Sequence, residues 1–303
     1  MRRILSALLL GSLALVLIAC GLHVAHSGNA PAPARQAGSL RLASYNVHYI
    51  MLDDAGGPWS VAGWEARKSA LDTVFKALDA DIIAFQEMES FRRGDDGSVN
   101  LARDYLLAGN PGYRAAASGD WHVFPSTQPI LYRKDRFDLL DQGWFFFSET
   151  PDVIYSRSFD GSYPAFASWA RFRDRAERRD FTVMNLHTDY KSRHNRARTL
   201  ALVADRIRPM VAAGDPVFLA GDFNERNGSG RMAGLKTEGL TFPQVPGATF
   251  HFNRGINILP AIDHIGMAGP VALAQGPFVL RQRPGGVWPS DHYPVAADFR
   301  FLP

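Results

Sequence analysis

From residue 39 onward, short runs that are apolar at every position or every second one alternate with longer runs whose apolar residues recur every three to four. That is the pattern of a domain mixing strands and helices. Leu40-Arg41-Leu42-Ala43-Ser44-Tyr45 alternates as a strand does, Trp64 to Leu78 has helical spacing, and Ile82-Ile83-Ala84-Phe85 is compact enough for a buried strand. The opening is therefore β-α-β. Gln128 to Arg133 and Phe137 to Phe147 predict two strands joined by the turn Lys134-Asp135-Arg136. Ala165 to Phe172 and Phe181 to Leu186 predict a strand pair around a charged hairpin, Arg173 to Asp180. A helix is expected from about Ser192 to Val211, with Ala197, Leu200, Ala204, Ile207 and Val211 on one face, stopping before Gly214-Asp215-Pro216. Val217 to Ala220, Ala261 to Gly266 and Pro294 to Phe301 predict further strands. With no internal repeat and no second linker, residues 39–303 read as one domain.

Ahead of this domain the pattern changes. Arg2-Arg3 precedes an apolar run from Ile4 to Ala19, short for a bilayer span and fit for an export signal. The run closes in Leu17-Ile18-Ala19-Cys20, which resembles the lipobox of bacterial lipoproteins. The resemblance implies that residues 1–20 are a lipoprotein signal peptide with lipid on Cys20, and that the chain lies outside the cytoplasm, secreted or anchored to a bacterial membrane. Gly21, where an aspartate would signal inner-membrane retention, favours the outer membrane. An ordinary signal peptide or an anchor helix is the alternative. Residues 21–38, rich in Ala, Pro, Ser and Gly, read as a flexible tether, and no later segment is apolar enough to span a membrane.

Composition narrows the class. The 303 residues are 46% hydrophobic, ample for a core, and Cys20 is the sole cysteine, so an intramolecular disulfide is excluded. The charge is +3, from 33 Lys and Arg against 30 Asp and Glu, and loss of Arg2 and Arg3 would bring it to +1. Tight duplex binding would call for a stronger basic balance. The chain is expected to act as a monomer, attached to a membrane through its lipid alone.

Several predicted strands stop at polar residues: Asn46, Gln86-Glu87, Asn185 with His187, Asp222 with Asn224, Asp263-His264 and Asp291-His292. Carboxylate and amide oxygens suit magnesium or manganese, which keep part of their water shell. Zinc would call for thiolates or a His-Glu-x-x-His pair, and neither is present. Such an ion can neutralise a phosphate oxygen while an aspartate and a histidine position and deprotonate a water.

The blocks Ser44-Tyr45-Asn46-Val47, Ala84-Phe85-Gln86-Glu87, Ile130 to Phe137, Asn185-Leu186-His187-Thr188, Gly221-Asp222-Phe223-Asn224, Ile262-Asp263-His264-Ile265 and Ser290 to Val295 resemble, in order, those of the endonuclease/exonuclease/phosphatase superfamily. The resemblance spans roughly Leu40 to Phe299. It implies an α/β fold, a four-layer α/β sandwich of two mixed β-sheets packed face to face with outer helices. It also implies roles. Glu87 would be the principal ligand of a magnesium or manganese ion, with Asn46 and Asp291 close to it. Asp222 would orient or activate the water, supported by Asn224, and His292 would contact the scissile phosphate and move a proton, oriented by Asp263. His187 would be a second imidazole at the phosphate.

The reaction so implied is hydrolysis of a phosphate ester, a phosphodiester such as nucleic acid first. A phosphomonoesterase acting on sugar or inositol phosphates, or a catalytically silent surface binding module, is the alternative. Arg193, Arg196 and Arg198, in the first turns of a helix where its dipole disfavours cations, are expected to pair with nearby carboxylates rather than rim the site. Alternation is expected to put half of Trp144-Phe145-Phe146-Phe147 into the core rather than leave the run as a base-stacking platform. Phe147 to Asp152 and Trp169-Ala170-Arg171 resemble segments of secreted bacterial members. His122, His251 and Trp288 lie in loops and are given no role.

Overall fold

The computed structural model describes residues 2–92, 99–161 and 163–303. Its elements are α1 (Arg2–Ala25), β1 (Leu40–Asn46), β2 (Ile50–Met51), α2 (Val61–Leu78), β3 (Ile82–Gln86), β4 (Ser90–Phe91), α3 (Leu101–Gly109), β5 (Tyr113–Ala116), β6 (Ile130–Arg133) and β7 (Phe137–Phe146). They continue with β8 (Phe166–Asp174), β9 (Arg179–His187), α4 (Arg193–Ala212), β10 (Val217–Asp222), α5 (Ala233–Thr237), β11 (Asp263–Ala268), β12 (Val271–Val279) and β13 (Val295–Phe301).

Two large mixed sheets form, in the orders β12-β13-β1-β3-β6-β5 and β11-β10-β9-β8-β7. In the first, β1 runs parallel to β3 and antiparallel to β13; in the second, β10 runs parallel to β9 and antiparallel to β11. The central strands are apolar on both faces because both faces are covered. Leu40, Leu42, Ile82 and Ala84 point inward against Phe172, Phe181, Val183 and Phe218 of the opposite sheet. Their neighbours Ala43, Tyr45, Ile83 and Phe85 face outward onto Leu71, Val74, Phe75 and Leu78 of α2. On the other side Met184, Leu186, Val217 and Leu219 pack under Leu200, Val203 and Ile207 of α4. The result is the four-layer α/β sandwich expected from the resemblance.

Local reasons for the elements are visible. The hydroxyl of Ser60 caps α2 by accepting from the Gly63 amide at 3.0 Å, and Ser192 caps α4 by accepting from Asn195 at 3.0 Å. Two findings depart from the sequence reading, and a third, the crossing at Lys134-Asp135-Arg136, adds to it. Ala197 is exposed, because the buried stripe of α4 runs through Arg196, Leu200, Val203, Ala204 and Ile207, one position off it. The turn Lys134-Asp135-Arg136 carries the chain from one sheet to the other, since β6 and β7 lie in different sheets. There the Arg136 guanidinium donates to Asp81 at 2.9 Å and to Asp174 at 2.7 Å, tying the two sheets together. Finally, β5 and β12, at the edges of the first sheet, have no counterpart among the predicted strands.

Among the described residues α1 is the one helix long and apolar enough to cross a membrane, over Leu8–Ala25; an export signal meets the same criteria. It runs through the exposed Cys20. Beyond it, Arg35 pairs with Asp81, and the Pro33 carbonyl accepts from Arg41 at 2.9 Å, so this part of the stretch read as a tether lies against the domain.

Candidate active site

The polar strand ends converge because β1, β3, β9 and β10 all terminate at the same edge of the sandwich. Parallel pairing sets Asn46 beside Gln86 and Asp222 beside His187, and the antiparallel β10–β11 register places Asp263 opposite Asp222. Just beneath, Gln86 donates to the Asn185 side-chain oxygen at 2.7 Å across the two sheets. Asn185 in turn donates to the Phe85 carbonyl at 2.7 Å and the Gln128 carbonyl at 3.1 Å. This buried network fixes the distance between the two halves of the site.

Asn46 is fully buried, and its amide donates to Glu87 at 3.1 Å and to Asp222 at 3.2 Å. Glu87 leaves β3 with a φ of 53°, which swings its carboxylate back over the strand end. The Tyr49 amide donates to its other oxygen at 3.3 Å. Asp222, 1% exposed, accepts from the Asn224 backbone amide at 2.8 Å, and Asn224, itself at φ 45°, donates its side-chain amide to the Thr188 carbonyl at 2.9 Å. His187 Nε2 stands 3.6 Å from Asp222 and 3.9 Å from Glu87.

On the far side, His292 Nδ1 lies 3.0 Å from Asp263 Oδ2 and its Nε2 lies 3.7 Å from Asp222. Burial works to lower the His292 pKa, but the charges of Asp263 and Asp222 outweigh it and hold it well above the ordinary histidine value. Asp222 is pushed upward, first by burial and then by Asp263, with His292 and His187 pulling the other way. Asp291 also resists its burial: His292 and His48 keep its carboxyl below the usual range. Its neighbour Ser290 donates to the Asn46 carbonyl at 2.7 Å, joining the β13 approach to β1.

The structure thus gathers Asn46, Glu87, His187, Asp222, Asn224, Asp263, Asp291 and His292 at one edge. Glu87 and Asp291 offer carboxylate oxygens, donors that fit a hard divalent cation, while Asn46 turns its NH2 to Glu87 and its side-chain oxygen accepts from the His48 backbone amide at 3.1 Å. Asp222, Asp263 and His292 offer ligand atoms within 4.8 Å of one another. There, however, the imidazole already bridges the two carboxylates as their positive partner.

Three residues of this neighbourhood carry no signal that sequence reasoning used. Glu89, two residues past Glu87, opens into a small recess shared with Glu87, Thr127, Gln128, Tyr163 and His187. Burial and the charge of Glu87 push its pKa up to about 7. Tyr163 forms part of the recess wall. His48, 3% exposed and at φ 62°, makes no hydrogen bond through either ring nitrogen. Arg196 and Arg198 behave as expected: Arg196 lies 3.5 Å from Glu225 and Arg198 lies 2.6 Å from Glu149. Phe145, Phe146 and Phe147 are buried, more of that run than the half expected from alternation. His122 pairs with Asp120 on the surface, and His251 stacks on Tyr293 at 4.1 Å.

An α/β sandwich with carboxylates, amides and two imidazoles at one edge of its paired sheets defines the class. The chain belongs to the Endonuclease/Exonuclease/phosphatase family, which it matches over residues 43–292. Its fold is similar to that of an endonuclease/exonuclease/phosphatase from Bacteroides vulgatus, at 24% identity and TM-score 0.70, covering 87% of this chain and 99% of that one. A Bacteroides thetaiotaomicron mannosyl-6-phosphatase is similar at 24% identity and TM-score 0.68, covering 87% and 100%. The human Nocturnin catalytic domain, solved with a sulfate anion, is similar at 16% identity and TM-score 0.59, covering 88% and 95%. No curated protein sequence matches the chain.

Proposed function

We propose that the chain hydrolyses a phosphate ester by attack of a water held at this edge, with magnesium or manganese as cofactor. The observation that carries the reading is the placement of Asp222: one buried carboxylate reaches Asn46, His187 and His292 at 3.2, 3.6 and 3.7 Å. Glu87 and Asp291 would hold the ion, with Asn46 beside them supporting the Glu87 carboxylate through its amide NH2, and the ion would neutralise phosphate oxygens and the developing leaving-group charge. Asp222 has one oxygen tied to the Asn224 amide and the other turned toward the imidazoles, so it can align a water and accept its proton. His292, kept protonated by Asp263 and Asp222, can donate to a phosphoryl oxygen from Nε2. Asp263 holds the ring in that orientation through Nδ1. His187 and Asn224 stand where a second phosphoryl oxygen or the leaving oxygen would lie.

A phosphodiester remains the first choice of substrate. A phosphomonoester of a polyol is the second reading, favoured by the recess beside His187. Glu87, Glu89, Gln128 and Tyr163 wall it; all four can exchange hydrogen bonds with hydroxyls, and the carboxylates repel a second phosphate.

The test is hydrolysis of bis-p-nitrophenyl phosphate and p-nitrophenyl phosphate with magnesium, with manganese and with chelator, beside Asp222→Ala. Metal-dependent turnover lost in the variant supports the reading, and the preferred ester separates diesterase from monoesterase. A folded, metal-loaded protein silent on both would point to the binding module, and activity undiminished by chelator would overturn the mechanism.

A further inference from the structure

Three features meet on the face that carries loop 247–262. The first is charge. Between Gly239 and Ser290 the sequence holds one carboxylate, Asp263, in a chain with 30 in 303 residues, and that one is buried behind His292. Residues 2–52 hold none. Arg254 and Arg283 are exposed on this face.

The second is apolar exposure. Phe252, Ile258 and Leu259 are 43%, 37% and 40% exposed. Beneath them Gly255 sits so close to the Trp288 ring that a Cβ there would lie 2.7 Å from it, and the Arg283 guanidinium covers the same ring at 5.0 Å. Apolar side chains backed by tryptophan and flanked by arginine, on a segment of the chain with no exposed carboxylate, form a surface suited to a lipid headgroup boundary. Val123 is more exposed, at 67%, but its amide donates to the Asp120 carbonyl at 2.9 Å and its carbonyl accepts from the Trp144 indole at 3.2 Å, away from the chain's own apolar helix.

The third is where α1 ends. Asn257 donates its backbone amide to His23 Nδ1 at 3.2 Å and its side-chain amide to Ser27 at 3.0 Å. The His26 ring fills the space a Cβ on Gly247 would need, 2.6 Å away. His23 is three residues beyond Cys20, about 4.5 Å along a helix. Whether α1 itself or a lipid on Cys20 enters the bilayer, Asn257 of loop 252–259 touches the helix within about one turn of the point of entry.

We infer that Phe252, Ile258 and Leu259, with Trp288, Arg254 and Arg283, form a surface that docks onto the bilayer to which the chain is attached. This rests on membrane attachment through α1 or Cys20 and adds a second contact to it. The contact sets the orientation of the catalytic edge. Phe250, in the same loop, bridges to His292 with ring centroids 5.0 Å apart, and the His251 amide donates to the Asp291 carbonyl at 2.8 Å. A docked loop therefore holds the site next to the membrane, where esters displayed on the lipid surface come within reach.

The full chain, reconstituted in phosphatidylethanolamine and phosphatidylglycerol vesicles doped with a diazirine-bearing phospholipid, is irradiated and its lipid adducts mapped by mass spectrometry. Adducts are expected in α1 and in residues 252–259 and 283–288, but not in the β8–β9 hairpin at 175–178, at the opposite end of the sheet. Ile258→Asp with Leu259→Asp should keep the α1 adducts and reduce those on residues 283–288 at least fivefold. Adducts in α1 without any in 252–259 overturn the docking and leave the anchor standing. Adducts in neither overturn the anchor and the docking together, and both results are independent of whether the chain hydrolyses phosphate esters.

Discussion

His292 Nδ1 stands 3.0 Å from Asp263 Oδ2, and because Asp263 pairs with Asp222 across the β10–β11 register, the ring's other nitrogen faces a second carboxylate at 3.7 Å. Two acids on adjacent strands thus share one imidazole. Burial alone would make that ring neutral; the two carboxylates reverse the sign.

Asp263→Asn removes the larger of the two attractions and the group that fixes the ring. If His292 donates to the phosphoryl oxygen, activity should fall on the alkaline side as it loses its proton, and the variant should show that fall at lower pH than the parent. The rate at the optimum should drop by about 10²- to 10⁴-fold. A pH–rate profile of both proteins reads the two effects, and an alkaline limb that stays in place would remove His292 from proton donation.

The same pair makes a stability prediction in chelator. A histidine whose folded pKa lies above its unfolded value stabilises the fold fully below about 6.5, and that contribution is lost as pH rises through the folded value. Metal-free protein should therefore lose stability as pH climbs above neutrality, and His292→Gln should flatten that dependence. Urea unfolding midpoints measured across that range, with chelator present, check the sign.

Asp222→Asn separates stability from activity. The carboxylate is raised by burial and by Asp263, so its ionised form is held at a cost at neutral pH. The amide keeps a similar shape, and metal-free Asp222→Asn should melt no lower than the parent while losing at least about 10²-fold in turnover. Thermal melts in chelator beside steady-state rates would show it. A large drop in melting temperature would instead make Asp222 a structural residue.

How far the site was legible in the sequence depends on the kind of information each residue carries. Gly221 is a clear case, since a Cβ there would lie 2.0 Å from the Leu186 carbonyl oxygen on the neighbouring strand. The glycine before Asp222 is a packing requirement written into the local sequence. Strands β1, β3, β9 and β10 were legible because burial on both faces leaves an uninterrupted apolar run ending abruptly in polar residues. Edge strands lack that signature. Most positions of β12 are only half-buried, so its pattern resembles a loop. Sheet membership is likewise absent from local sequence, and Arg136 shows why: the turn it closes is held by Asp81 and Asp174, about 55 and 38 residues away along the chain. Glu89 escaped notice for the same reason, because its recess is completed by Gln128, Tyr163 and His187 from distant segments.

A fully buried ion pair at the far end of β1 from Asn46 gives the last prediction. Arg41 and Asp298 are 1% and 0% exposed, and the guanidinium donates to both carboxylate oxygens at 2.6 and 3.0 Å. They sit opposite one another on β1 and β13, and a third donation goes from Arg41 to the Pro33 carbonyl at 2.9 Å. Removing one partner strands a buried charge, so Arg41→Met should cost about 3–5 kcal/mol. Replacing both by apolar groups of similar volume leaves no charge behind, and Arg41→Met with Asp298→Leu should recover most of that loss. Denaturant unfolding of the two single variants and the double variant closes the cycle. A double variant as unstable as the singles combined would mean that the pair fixes the β1–β13 register through its geometry rather than through charge.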